Sequence, residues 1–121
     1  MSENLFFNTQ KMDWEELGGG VSRQIMGYDD KIMLVKVKFE KGSIGKPHEH
    51  FHSQTSYVAA GTFEANIGGN IQLLSEGDSF YVPPSVVHGV LCLGTGILID
   101  VFSPVRQDFL DGSAVTYFGN K

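Results

Sequence analysis

Between residues 32 and 40 the chain alternates. Met33, Val35, Val37 and Phe39 fall on one face, and Lys36, Lys38 and Glu40 on the other. A period of two belongs to a strand with one buried and one wetted face. Short apolar segments bounded by glycine or proline recur along the chain and predict strands over 21–26, 32–40, 55–60, 62–67, 71–74, 79–82, 89–93 and 96–102. Gly61 reads as a hairpin turn between two of them, and Gly68-Gly69-Asn70 and Glu76-Gly77-Asp78 read as further turns. Ser103-Pro104 breaks the pattern, and 106–110 reads as one short helical turn. Residues 12–17, with Asp13, Trp14 and Glu15, fit an early helix or an edge strand equally. There is no heptad and no longer repeat, and the segments between strands are too short for crossover helices. Many short strands with tight turns define an all-β sandwich or closed barrel.

Composition narrows the class. At 121 residues the chain has the size of one domain spanning 1–121, large enough to bury a core without disulfides. The single cysteine, Cys92, lies in the apolar run Val90-Leu91-Cys92-Leu93 and reads as a buried structural thiol. A net charge of −5 with scattered Lys and Arg argues against a nucleic-acid partner. No apolar stretch approaches the ~20 residues that span a membrane. Met1-Ser2-Glu3-Asn4 carries no export signal, so a cytoplasmic location is expected. Phe6, Phe7 and Trp14 make an aromatic N-terminal segment that needs cover, by packing or across a homodimer.

Three of the four histidines fall in His48-Glu49-His50-Phe51-His52, with Gln54 two residues on. In an extended chain 48, 50, 52 and 54 project to one side. Imidazole is the commonest metal ligand, and a packed core would prefer apolar residues at such positions. The fourth histidine, His88, follows Pro83-Pro84, and a barrel could bring it opposite the others. Spacing alone points to a metal site.

Gly42, His48, His50, Gln54 and Gly61 resemble the first cupin motif, with glutamine where glutamate is usual. Gly77, Pro83 and His88 resemble the second, with Ser85 and Cys92 in place of its glycine and asparagine. The two motifs cover 42–61 and 77–92. The resemblance implies a cupin double-stranded β-helix, a jelly-roll barrel with one divalent metal ion inside on His48, His50, Gln54 and His88. His52 then stands beside the ligands, either facing a substrate or merely solvated. Three imidazoles and an amide leave the ion's double charge uncancelled, which favours an anionic ligand and Lewis-acid chemistry. Iron oxygenases more often use two histidines and a carboxylate. The ion itself stays open among Ni, Zn, Mn, Co and Fe.

A second group lies in Asp100-Val101-Phe102-Ser103-Pro104-Val105-Arg106. Leu98, Asp100 and Phe102 share a face by alternation. A carboxylate on such a strand must be paired or hydrogen-bonded if buried. Asp100 there suits a general acid or base, and Arg106 suits a bidentate grip on a carboxylate. An Asp100–Arg106 ion pair closing the barrel end is the structural alternative. Gln24 and Tyr81 are weaker candidates for the cavity.

From Trp14 and Gly20-Val21-Ser22-Arg23-Gln24 through the Asp-X-Phe-X-Pro-X-Arg segment, the chain resembles the small KdgF-type cupins of pectin and alginate degradation. That resemblance implies conversion of 4,5-unsaturated uronates to the linear keto acid, with functional residues at Asp100, Phe102 and Arg106. A non-catalytic cupin that binds a sugar or small carboxylate and a metal-dependent dioxygenase are the competing readings.

Overall fold

The computed structural model describes residues 4–112. Met1, Ser2 and Glu3 of the N-terminal segment, and 113–121 of the expected domain, lie outside them. Ten strands make up most of the regular structure among them: β1 (Glu15–Gly18), β2 (Val21–Tyr28), β3 (Met33–Phe39), β4 (Ile44–His48), β5 (Ser53–Ala60), β6 (Thr62–Ile67), β7 (Asn70–Ser75), β8 (Ser79–Val82), β9 (His88–Cys92) and β10 (Gly96–Ser103). A 3-10 turn at Thr9–Lys11 precedes them and a short helix α1 (Gln107–Asp111) follows. No described helix is long and apolar enough to cross a membrane.

All pairings are antiparallel and fall into two sheets. One runs β1-β2-β3-β10-β5-β8, the other β4-β9-β6-β7. Their inner faces carry the residues that the alternation marks. Met33, Val35, Val37 and Phe39 of β3 are buried, as are Val58, Phe63, Ala65, Leu74, Phe80, Val82, Leu98 and Phe102. Phe39 of the first sheet meets Phe63 of the second edge to face, ring centroids 5.2 Å apart. Burying each large apolar side chain is worth roughly 1.5–3 kcal/mol. Cys92 lies in this core with its thiol directed at the Gly94 carbonyl, and burial pushes its pKa up. Its role as an inert core residue fits both facts.

Three sequence expectations change here. Of residues 12–17, the last three fall in the edge strand β1, paired with β2, and none is helical. Strand β4 escaped the pattern because Gly45 and Pro47 interrupt it; as a sheet edge it tolerates a proline that a central strand would not. Gly61 is not a hairpin turn. β5 pairs with β10 and β8, whereas β6 pairs with β9 and β7, so Gly61 carries the chain from one sheet to the other. Its φ of +84° and the 2.6 Å separation between an added Cβ and the Thr95 carbonyl oxygen leave no room for another residue. A lone glycine between strands announces a sharp turn; which sheet the next strand joins is decided by distant partners. The β6–β7 hairpin is as expected, closing from Ile67 to Asn70 over Gly68 and Gly69.

Candidate metal centre

The sheets meet at one end around three imidazoles. His48 ends β4 and His88 begins β9, directly opposite in register, with ring centroids 4.3 Å apart. β9 lies close to β4 because Gly89 has no side chain. A Cβ there would sit 2.8 Å from the Gly45 carbonyl oxygen and 3.1 Å from Pro47 N. His50 stands between β4 and β5, its ring 5.6 Å from that of His48 and 4.8 Å from that of His88. Each of the three offers one ring nitrogen, and these nitrogens lie within 4.8 Å of one another, close enough to hold a metal ion. Gln54, the second residue of β5, brings Oε1 to 2.9 Å from His50 Nε2.

The cluster does not arise from shared parity on one strand. β4 ends at His48 and β5 begins at Ser53, so the chain passes between sheets within the motif. His52 shows the difference. It is buried, its ring stacks on Phe51 at 4.0 Å, and its Nε2 bonds the Val105 carbonyl at 3.2 Å. It is therefore not solvated; it ties the motif to the segment that carries Arg106.

Hydrogen bonds set the imidazole tautomers. His48 Nδ1 donates to the Lys46 carbonyl at 2.7 Å and His88 Nδ1 to the Val86 carbonyl at 2.8 Å. A carbonyl only accepts, so Nε2 is the basic nitrogen in both rings. His88 Nε2 is buried with no hydrogen-bond partner among the described residues. Burial holds all four histidines below the ordinary imidazole pKa, and His48 falls to about 4, with His88, His50 and Arg106 adding to the effect. His50 Nδ1 lies 3.2 Å from the His52 carbonyl, which leaves Nε2 basic and facing the Gln54 oxygen. Neutral imidazoles with convergent basic nitrogens, one of them orphaned, and an amide oxygen beside them fit a divalent cation.

Next to the cluster a cavity opens, lined by His48, Gln54, His88, Asp100, Phe102, Arg106 and Phe109, with Val37, Phe39, Phe80 and Leu98 among its apolar walls. Leu98, Asp100 and Phe102 thus share the cavity face that alternation assigns them. Asp100 Oδ1 accepts the Ser56 hydroxyl at 2.6 Å. Burial pushes its pKa up to about 6, against the Ser56 bond and the Arg106 charge. Arg106 is buried against two rings, 5.0 Å from Phe102 and 4.1 Å from Phe109. Its bidentate partner is Asp108, at 3.0 and 2.9 Å, and the guanidinium holds that carboxyl below its usual range. The ion-pair alternative for Asp100 is thus displaced: Asp108 takes Arg106, and Ser56 holds Asp100.

Two weaker candidates lie elsewhere. Gln24 is buried but bonds Thr9 and Met12, fastening the N-terminal segment over β2, and Tyr81 is exposed. Trp14 packs on the outer face, with Lys38 Nζ 4.3 Å from its ring centroid. Ser56, Asp108 and Phe109 were missed from sequence. Only Ser56 left a signal, since it shares the parity of Gln54 on β5.

The cupin domain family matches residues 35–102. The chain belongs to the cupin family, and the matched span contains His48, His50, Gln54 and His88. Within it the chain groups with KdgF: it is 47% identical over 107 residues to "Pectin degradation protein KdgF" of Dickeya dadantii (strain 3937), covering 87% of this chain and 97% of that one. KdgF from Halomonas sp. superposes with a TM-score of 0.85 at 38% identity, over 88% of this chain and 98% of that one. An RmlC-like cupin from Shewanella frigidimarina NCIMB 400 gives a TM-score of 0.85 at 49% identity, over 89% and 96%.

Proposed function

We propose that this protein converts 4,5-unsaturated uronate monosaccharides into the linear keto acid, using one divalent ion held by His48, His50, Gln54 and His88. The observation that carries the reading is a single cavity in which His48, Gln54 and His88 of that donor set face Asp100, Phe102 and Arg106, with His50 beside them. A relative named for pectin degradation, 47% identical over most of both chains, supports a substrate derived from that sugar polymer. Held by those four neutral donors, a divalent ion would keep its double charge uncancelled and would supply Lewis-acid polarisation to a bound sugar acid.

The chain's own residues do the rest. Arg106, fixed by Asp108, orients the substrate anion. Phe102 packs against the sugar ring. Asp100, with a pKa near 6, takes the anomeric hydroxyl proton as the C1–ring-oxygen bond opens to the aldehyde. The ring oxygen leaves as an enolate at C5, and the proton taken by Asp100 is returned to C4 to give the ketone. The reaction is an isomerisation, with no net gain of atoms or electrons.

The test is the decay of unsaturated-uronate absorbance in the ultraviolet, with an oxygen electrode in parallel. Turnover without oxygen uptake is expected. Asp100→Asn should keep the metal and lose roughly 10²- to 10⁴-fold in rate. Full activity in that variant would remove Asp100 from the mechanism. Binding without turnover in the parent protein, or oxygen consumption, would overturn the reading.

A further inference from the structure

The Gln54 amide has two unlike ends, and only the oxygen can hold a cation. Which end faces the histidines is decided behind it. Gln54 Nε2 donates to Ser56 Oγ at 3.0 Å, and Ser56 Oγ donates to Asp100 Oδ1 at 2.6 Å. An ionised carboxylate only accepts, so the hydroxyl hydrogen is committed to Asp100. The Ser56 oxygen is then left to accept from the amide, and the amide must present Oε1 toward His50. The register supports the chain of bonds: Gln54 lies opposite Phe102 and Ser56 opposite Asp100 where β5 pairs with β10. Both β5 residues are buried, Ser56 at 1% exposure, so water is a poor substitute for either partner. With the amide reversed, an N–H would point at His50 Nε2 and occupy its lone pair, removing two ligands together.

We propose that Ser56 is a positioning residue for the ion site: its hydroxyl, anchored on Asp100, locks the Gln54 amide with its oxygen toward the histidines. The inference rests on the four-ligand site and not on the identity of the sugar. A glutamate at 54 would have two equivalent oxygens and need no such lock, so Ser56 answers the departure from the usual cupin motif.

Cobalt(II) added to metal-stripped protein, followed by calorimetry and by the visible d–d spectrum, tests this without substrate. Ser56→Ala should bind cobalt roughly 10- to 100-fold more weakly than the parent, with an altered d–d band. Ser56→Cys, of similar volume but with a weak donor, should fall between them. In a Gln54→Glu background, Ser56→Ala should change cobalt affinity less than twofold. Equal cobalt affinity in parent, Ser56→Ala and Ser56→Cys would overturn the proposal. So would the same loss in both backgrounds, because the effect would then be packing alone. A parent protein that takes up no cobalt would overturn this inference and the ion site together. A failure of uronate turnover alone would leave the cobalt result standing.

Discussion

His48 and Asp100 face one cavity and titrate in opposite directions. The buried imidazole, lowered to about 4, binds fewer protons folded than unfolded between pH 6.5 and 4. Its contribution to stability is therefore present above 6.5 and lost as pH falls through 4. Asp100, raised to about 6 by burial, contributes most below 3.8 and loses that contribution as pH rises through 6. Four lowered histidines outweigh one raised carboxyl. The thermal midpoint of metal-free protein should therefore fall between pH 6.5 and 4, and calorimetry should show a steeper fall in Asp100→Asn, where the opposing group is gone. A flat or rising profile would contradict the burial of the histidines.

At the scale of elements, the approach of β9 to β4 sets the distance between His88 and His48. Gly89→Ala would force a Cβ to 2.8 Å from the Gly45 carbonyl oxygen. The variant should lose roughly 1–3 kcal/mol in denaturant unfolding and bind metal more weakly. Gly94→Ala, where an added Cβ meets nothing within 4 Å, is the matched control and should do neither. Elements also show what a sequence can reveal. β3 was legible because its inner and outer faces alternate without a break. β4 was not, because Gly45 and Pro47 hide a strand that only pairing with β9 reveals. Gly61 announced a turn but not its destination, which depends on contacts with β9 and β10 far along the chain.

The same limit governs the site. His48, His50, Gln54 and His88 were legible from motif spacing, although the argument from one-strand parity was mistaken. Asp100 and Phe102 followed from alternation along β10. Ser56 and Asp108 carry no conspicuous chemistry; their roles appear only once β5 meets β10 and once α1 folds back beside Arg106.

Over the whole molecule, Leu5 and Phe6 lie more than four-fifths exposed. We propose that they are covered in a homodimer. Light scattering should give the mass of two chains, and Leu5→Ser/Phe6→Ser should shift it toward one; a monomeric parent protein would refute this. Ion binding should stabilise the fold as a whole, by about 2.7 kcal/mol at a hundredfold excess over Kd, with a chelator reversing the gain in thermal midpoint.

One claim underlies all of this: neutral donors from two sheets close on a single cation. Anomalous diffraction recorded at the absorption edge of the bound metal addresses it directly. We expect one peak at about 2.0–2.2 Å from a nitrogen of each of His48, His50 and His88 and from Gln54 Oε1. No peak there, or a peak whose ligands exclude His88, would contradict the account.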